Sequence, residues 1–237
     1  MYKISMVSLG CPKNQVDAEM MLATLKTSGF EIGVPEAEAD AIIINTCGFI
    51  EDAKKEAIEN ILEAAEYKKT GKCKALIVTG CLAERYKNDV TEEIPEVDVC
   101  VGIGADGDIA KIVTDALNGS KENVFADKYE LNLNSDRILG GYPFSTYLKI
   151  GDGCDNCCTY CAIPKIRGRM RSRTIEDCVK EAEKLAAGGV KELTVVAQDT
   201  TAYGEDIYGR PMLAELLSEL CKIEGLHWIR TLYTYPD

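Results

Sequence analysis

AIIINTCGF, residues 41–49, is a short branched apolar run that ends in a cysteine beside a glycine. Its first five residues, AIIIN (41–45), have the length and composition of a strand buried on both faces, where no polar alternation is needed. Three similar runs accompany it: KISMVSL (3–9), ALIVTG (75–80) and VDVCVG (97–102). Between them lie helical patterns from Asp17 to Ser28, Glu51 to Lys69 and Asp108 to Leu117. In the first, Met20, Met21 and Leu25 share a side, and Gly29 supplies a stop. The order βαβα predicts a parallel α/β sheet with helices on both faces.

From Asn118 to Tyr142 the pattern fades into polar residues and Gly140–Gly141, which reads as a connection between domains. A second α/β series follows. STYLKIG (145–151), ELTVVAQ (192–198) and HWIRTLY (227–233) read as strands, with helices over Ile175–Ala187 and Met212–Ile223. Three strands and two helices make the beginning of an α/β barrel whose last strand has an open edge, so the sequence reads as a fragment of a longer protein.

Within the second series lies CDNCCTYC, which places Cys154, Cys158 and Cys161 in a C-x3-C-x2-C arrangement. Three soft thiolates in one loop suit three corners of an iron–sulfur cluster, with the fourth iron open to a ligand. That points to an enzyme. Cys157 creates abutting C-x2-C pairs, which suggest zinc; pairs for one zinc ion are normally a dozen or more residues apart.

The strand-end cysteine of the opening stretch has two counterparts. Cys11 follows the first strand in SLGCPKN, Cys47 the second in NTCGF, and Cys81 the third in TGCLAE. The carboxyl ends of parallel strands converge on the crevice where ligands bind, so cysteines separated by 36 and 34 residues meet there. Gly10, Gly48 and Gly80 allow close backbone approach. This predicts a second metal site, an iron–sulfur cluster rather than zinc, since no histidine is nearby. The other cysteines read as packing: Cys100 in a strand, Cys178 and Cys221 on helices, and Cys73 as a surface or edge thiol.

Eleven cysteines without a secretory signal point to metal binding or buried thiols rather than disulfides, and to a cytoplasmic protein with no membrane partner. The formal net charge is −12; residues 1–140 carry 15 basic and 25 acidic side chains, a net of −10. Such a balance disfavours non-specific nucleic-acid binding, so RNA contact is possible but not indicated by charge. One exception is KIRGRMRSR, with Lys165, Arg167, Arg169, Arg171 and Arg173, read as a solvated basic loop or a site for a carboxylate, a phosphate or an acidic surface. GIGADG (102–107) matches a dinucleotide fingerprint but follows the fourth strand, so a tight turn is expected. His227 is the only histidine, which leaves Ser–His or Cys–His hydrolase schemes without material.

C-x3-C-x2-C with Tyr160 before the last cysteine resembles the radical S-adenosylmethionine signature. Preceded by an α/β domain with three strand-end cysteines, it is similar to the methylthiotransferases. SLGCPKNQVDAE, NTCGFIEDAKKE, VTGCLAERY, GDGCDNCCTYCAIPKIRGRMRSR and AQDTTAYGEDIYG resemble the RimO branch, which modifies an aspartate of a small-subunit ribosomal protein. The tRNA-modifying, MiaB-like branch typically has GCQMN at the first cysteine and Gln-Asn where this chain has Gln198–Asp199.

The resemblance implies three regions: an N-terminal methylthiotransferase domain over 1–118, a linker over 119–142, and an incomplete radical S-adenosylmethionine domain over 143–237, with the C-terminal TRAM domain absent. It further implies two 4Fe-4S clusters, one on Cys154, Cys158 and Cys161 that binds and cleaves S-adenosylmethionine, and an auxiliary one on Cys11, Cys47 and Cys81 that presents sulfur. Tyr160, Gln198, Asp199 and Thr200 are the expected contacts for cofactor or substrate. A small-subunit ribosomal protein is the expected substrate, with an electron donor such as flavodoxin or ferredoxin. Alternatives are tRNA adenosine methylthiolation and a zinc-bound interaction module. Position 157, commonly not cysteine in relatives, departs from the pattern.

Overall fold

The computed structural model describes residues 1–127 and 136–235. These form two compact units, one comprising residues 1–127 with 136–138 and the other the residues from 139 on.

In the first unit, β1 (Lys3–Ser8), β2 (Glu31–Ile32), β3 (Ala41–Thr46), β4 (Ala75–Gly80) and β5 (Val99–Val101) form a parallel sheet in the order β2-β1-β3-β4-β5. All residues of β3 and β4 are buried, as expected of central strands covered on both faces. Ile43 of β3 pairs with Met6 of β1 and Ile77 of β4. Side chains alternate across the sheet. Ile43 and Ile77 pack with Met21 and Leu25 of α1 (Pro12–Thr27) and Ile109 and Val113 of α5 (Ile109–Leu117). Ile42, Ile44, Leu76 and Val78 pack on the other face with Ala57, Ile61 and Ala64 of α2 (Glu51–Thr70).

Two short helices, α3 (Cys81–Tyr86) and α4 (Asn88–Glu93), connect β4 to β5, where the sequence showed no helical pattern. Helix α1 starts five residues before the expected Asp17. Pro12 occupies its first turn, and buried Lys13, Asn14, Asp17 and Glu19 hide the apolar period. Cys73 is buried, with its thiol 3.3 Å from the Ala75 carbonyl, which corrects its reading as a surface or edge thiol. In the GIGADG turn, the buried Glu84 carboxylate accepts from the Ile103 N–H at 3.1 Å and would meet a Cβ on Gly102 at 2.5 Å. An acid where a phosphate would have to sit supports the tight-turn reading. Part of the expected linker lies along β5, where Val124 exchanges backbone hydrogen bonds with Cys100 and Gly102. Residues 128–135 of that linker lie outside the described residues, as do 236–237.

In the second unit, β6 (Ser145–Lys149), β9 (Glu192–Val196) and β10 (Trp228–Thr231) are parallel in the order β10-β9-β6. Between β6 and β9 come β7 (Gly151–Asp152), α6 (Ile163–Arg167), β8 (Arg171–Ser172) and α7 (Ile175–Ala187). The α7 N-terminus is capped by the Thr174 hydroxyl, which accepts from the Asp177 N–H at 3.2 Å. After β9 follow α8 (Glu205–Tyr208) and α9 (Leu213–Leu220). Leu148, Ile150, Leu193 and Val195 pack against Cys178 and Ala182 of α7 and Leu216 and Leu220 of α9. Strands β7 and β8 pair antiparallel, Asp152 opposite Arg171, and close the excursion that carries the second set of cysteines.

Candidate metal centres

The ends of β1, β3 and β4 lie side by side, and the glycines next to the three cysteines pack closely against the neighbouring strand ends. Gly10 packs so closely on Cys47 that a Cβ would lie 2.5 Å from the Cys47 Cβ. At Gly48 a Cβ would lie 2.7 Å from the Leu82 Cα and 3.2 Å from the Cys81 carbonyl carbon. Gly10 and Gly80 both hold φ of +91°, a conformation that strains any residue with a Cβ. Cys11 caps the N-terminus of α1, and Cys81 is the first residue of α3.

Two buried asparagines lock these ends. The Asn14 amide nitrogen donates to the Leu9 carbonyl at 3.2 Å and the Thr46 carbonyl at 2.8 Å, and Asn14 Oδ1 lies 3.6 Å from Cys81 Sγ. The Asn45 amide nitrogen donates to the Asn14 carbonyl at 2.8 Å and to Ser8 Oγ at 3.2 Å. Sequence reading missed both. Their signal was only position, three residues after Cys11 and two before Cys47.

In the second unit, Cys154 is nearly buried, Cys161 half-buried and Cys158 exposed. The Cys154 N–H donates to the Gly168 carbonyl at 3.1 Å, and the Cys161 N–H to the Cys158 carbonyl at 3.0 Å. The Asn156 N–H donates to Cys154 Sγ at 3.4 Å. Burial raises the Cys154 thiol's pKa; nearby Asp199, Cys161 and Cys158 add to this, while the Asn156 N–H opposes it.

A buried charged network lies beneath the loop. Arg167 NH1 donates to both Asp152 oxygens, at 3.1 and 2.9 Å, and Lys149 Nζ lies 3.3 Å from Asp152 Oδ2. Burial alone would push the Asp152 carboxyl up, but the charges of Arg167 and Lys149 outweigh it and hold it well below the usual range. The basic run is therefore solvated only in part, at Lys165 and Arg169. Three of its arginines bind carboxylates of their own chain: Arg167 binds Asp152, Arg169 binds Asp155 at 3.0 Å, and Arg173 binds Glu181, while Arg171 donates to the Arg169 and Arg167 carbonyls. The hydrogen bond from Arg169 also lowers the Asp155 carboxyl pKa.

The residues expected to contact cofactor or substrate are placed differently. Asp199 accepts from the Asn156 amide nitrogen at 2.7 Å and from the Thr201 N–H at 2.9 Å. Gln198 Nε2 donates to Asp152 Oδ1 at 3.0 Å, while its Oε1 is buried without a partner. The Thr200 hydroxyl is engaged with the Leu232 and Tyr233 carbonyls, at 3.0 and 3.1 Å, and so ties the ends of β9 and β10. Tyr160 is 83% exposed. Tyr235, missed from sequence, is exposed, and its N–H donates to the Thr201 hydroxyl at 2.8 Å, two residues on from Asp199. Slight desolvation, then nearby Tyr160, Asp199, Cys158 and Cys154, raise its phenol pKa.

Among the described residues, no three or more His, Cys, Asp and Glu side chains converge closely enough to hold a metal ion. A four-iron cluster takes each cysteine on a separate iron, so its ligands stand wider apart than those of one ion. Two three-thiol sets without histidine, one against glycines with no Cβ and one tied through Asn156 to Asp199, the neighbour in sequence of the partnerless Gln198 Oε1, fit clusters with an open ligand position.

Residues 3–102 match the family described as Uncharacterized protein family UPF0004, and residues 148–236 match the Radical SAM superfamily. The whole chain is 53% identical to a Clostridioides difficile protein named ribosomal protein uS12 methylthiotransferase RimO, of which it covers 54%. Over its whole length the chain is similar to radical S-adenosylmethionine methylthiotransferases. A protein of the same name from Acetivibrio thermocellus is 51% identical over 99% of the chain and is covered over 53% of its length. The chain thus spans about half the length of the curated relatives it matches.

Two solved structures share the fold. The radical S-adenosylmethionine methyltransferase TsrM from Kitasatospora setae matches 92% of this chain and 51% of its own, with a TM-score of 0.61 at 15% identity. The cobalamin-dependent S-adenosylmethionine radical enzyme OxsB matches 94% of this chain and 37% of its own, with a TM-score of 0.57 at 16% identity. No helix among the described residues is long and apolar enough to cross a membrane.

Proposed function

We propose that this chain carries the cluster-binding machinery of a methylthiotransferase that modifies the β-carbon of an aspartate in ribosomal protein uS12. The observation that carries the reading is identity above 50% across the whole chain to relatives of that name. Cys154, Cys158 and Cys161 would hold one 4Fe-4S cluster, and Cys11, Cys47 and Cys81 the auxiliary one. When bound, the first cluster with S-adenosylmethionine supplies radical chemistry and the second supplies sulfur.

The chain's own residues position these groups. Asn14 and Asn45 fix the three strand ends, so the cysteines do not have to be gathered at the moment of binding. Arg167, Asp152 and Lys149 form a fixed charged floor under the second loop. Gln198 Oε1 offers an unsatisfied acceptor for an N–H or O–H of S-adenosylmethionine or substrate. Thr200 acts as a strap between strands rather than a ligand contact. A small one-electron donor such as flavodoxin or ferredoxin completes the reading, and a net charge of −12 gives RNA contact no support.

The test is mass spectrometry of ribosomal proteins and tRNA from a strain lacking the intact gene. Loss of one methylthio group from uS12 with tRNA unchanged supports the reading; the reverse assigns the chain to tRNA. A colourless anaerobic preparation holding tightly bound zinc would replace both with a zinc module.

A further inference from the structure

Asn156 holds two positions at once in the second cysteine loop. Its backbone N–H donates to Cys154 Sγ at 3.4 Å, and its side-chain nitrogen donates to Asp199 Oδ2 at 2.7 Å. Asp199 is itself fixed. It is nearly buried at the end of β9, and its Oδ1 accepts from the Thr201 and Ala202 N–H groups at 2.9 and 3.3 Å. The loop is anchored on its other side by Asp155, which accepts from the Met170 N–H at 3.0 Å and binds Arg169. The bond from Asn156 to Asp199 is what ties the loop to the end of β9.

We infer that Asn156 and Asp199 are a paired positioning device that sets the reduction potential of the cluster held by Cys154, Cys158 and Cys161. The inference rests on that loop holding a cluster, as proposed above. The two members pull in opposite directions. An N–H aimed at a ligating sulfur stabilises the reduced, more negative cluster and so raises its potential. A carboxylate close to the cluster disfavours added negative charge and so lowers it. Asp199 does both: its charge opposes reduction, while its grip on Asn156 keeps the N–H on Cys154. Sequence alone cannot supply this, because the two residues lie 43 positions apart.

The opposition makes the inference testable by sign. In Asn156→Ala the backbone N–H remains but loses its anchor, so the potential falls. In Asp199→Asn the charge is lost; the Asn156 amide can turn over to accept from the new amide nitrogen, so the tie survives and the potential rises. The experiment is an anaerobic redox titration of the iron-reconstituted chain, followed by electron paramagnetic resonance, with iron content measured on each sample.

Two reduction waves are expected, one per cluster. The substitutions should move one of them in opposite directions and leave the other, which reports the Cys11, Cys47 and Cys81 site, where it was. Unmoved waves in both variants, or shifts of the same sign, overturn the inference. Absence of a cluster on Cys154, Cys158 and Cys161 in the unsubstituted chain overturns the functional reading instead, so the two failures are distinguishable. Circular dichroism melts of both variants exclude a shift caused by unfolding.

Discussion

Asn14, in the first turn of α1, donates through its side-chain nitrogen to the Thr46 carbonyl at the end of β3, 2.8 Å away and fully buried. This bond between positions 32 apart brings the segment carrying Cys11 onto the one carrying Cys47. Asn14→Ala would leave the Leu9 and Thr46 carbonyls without that donor, at a cost of about 1–3 kcal/mol. Denaturant melts of the iron-free chain should show the loss. The reconstituted variant should also retain less iron, because the loosened strand ends no longer hold the cysteines in place.

Gly10→Ala carries a different penalty. A Cβ there would lie 2.5 Å from the Cys47 Cβ, on a backbone with φ of +91°. Strain of roughly 1–3 kcal/mol is expected, with selective loss of the Cys11, Cys47 and Cys81 site. The visible spectrum should fall by about half while the Cys154 loop keeps its cluster. Equal loss from both sites would contradict this.

Arg167 and Asp152 form a fully buried pair, so truncating Arg167 leaves the buried Asp152 carboxylate with Lys149 alone to balance it. Arg167→Met should destabilise the chain by about 3–5 kcal/mol in thermal or denaturant melts. The pH dependence has a definite sign. The folded-state pKa of Asp152 is depressed, so its stabilising contribution is present above the unfolded carboxyl pKa, about 3.9, and is lost as pH falls below it. Asp152→Asn should therefore flatten the acid limb of a stability-against-pH curve of the iron-free chain. An unchanged limb would mean that the pair is not formed.

Thiol labelling separates the eleven cysteines. Cys157, Cys158 and Cys221 are exposed and should alkylate first in the iron-free chain. Cys100 and Cys178 should resist, since burial pushes both thiols up to about 12. Reconstitution should then protect Cys158 but leave Cys157 reactive, read by peptide mass spectrometry. Protection of Cys157 instead would make it the ligand.

The central strands were legible because AIIIN and ALIVTG are covered on both faces and carry no polar interruption. The strand-end cysteines followed from the same pattern, because parallel strands point their carboxyl ends to one side. The start of α1 was not legible: its inward side holds Asn14, Asp17 and Glu19 alongside Met20 and Met21, and no 3.6-residue apolar period survives that mixture. Cys73 between two lysines looked exposed, yet the chain turns there into β4 and buries it. The arginines after the cysteine loop looked like one basic run. Only the antiparallel pairing of β7 with β8 shows that Arg167 and Arg173 turn inward, while Arg169 stays at the surface. Partners such as Asp152 for Arg167 and Asp199 for Asn156 are long-range, and local propensity carries no trace of them.

Iron content tests most directly whether the chain holds two clusters. Anaerobic reconstitution should give about eight irons per chain, and replacing Cys11, Cys47 and Cys81 together by alanine should leave about four with the signal of a single cluster. Iron unchanged by that triple substitution, or about four irons in the unsubstituted chain, would contradict the second cluster.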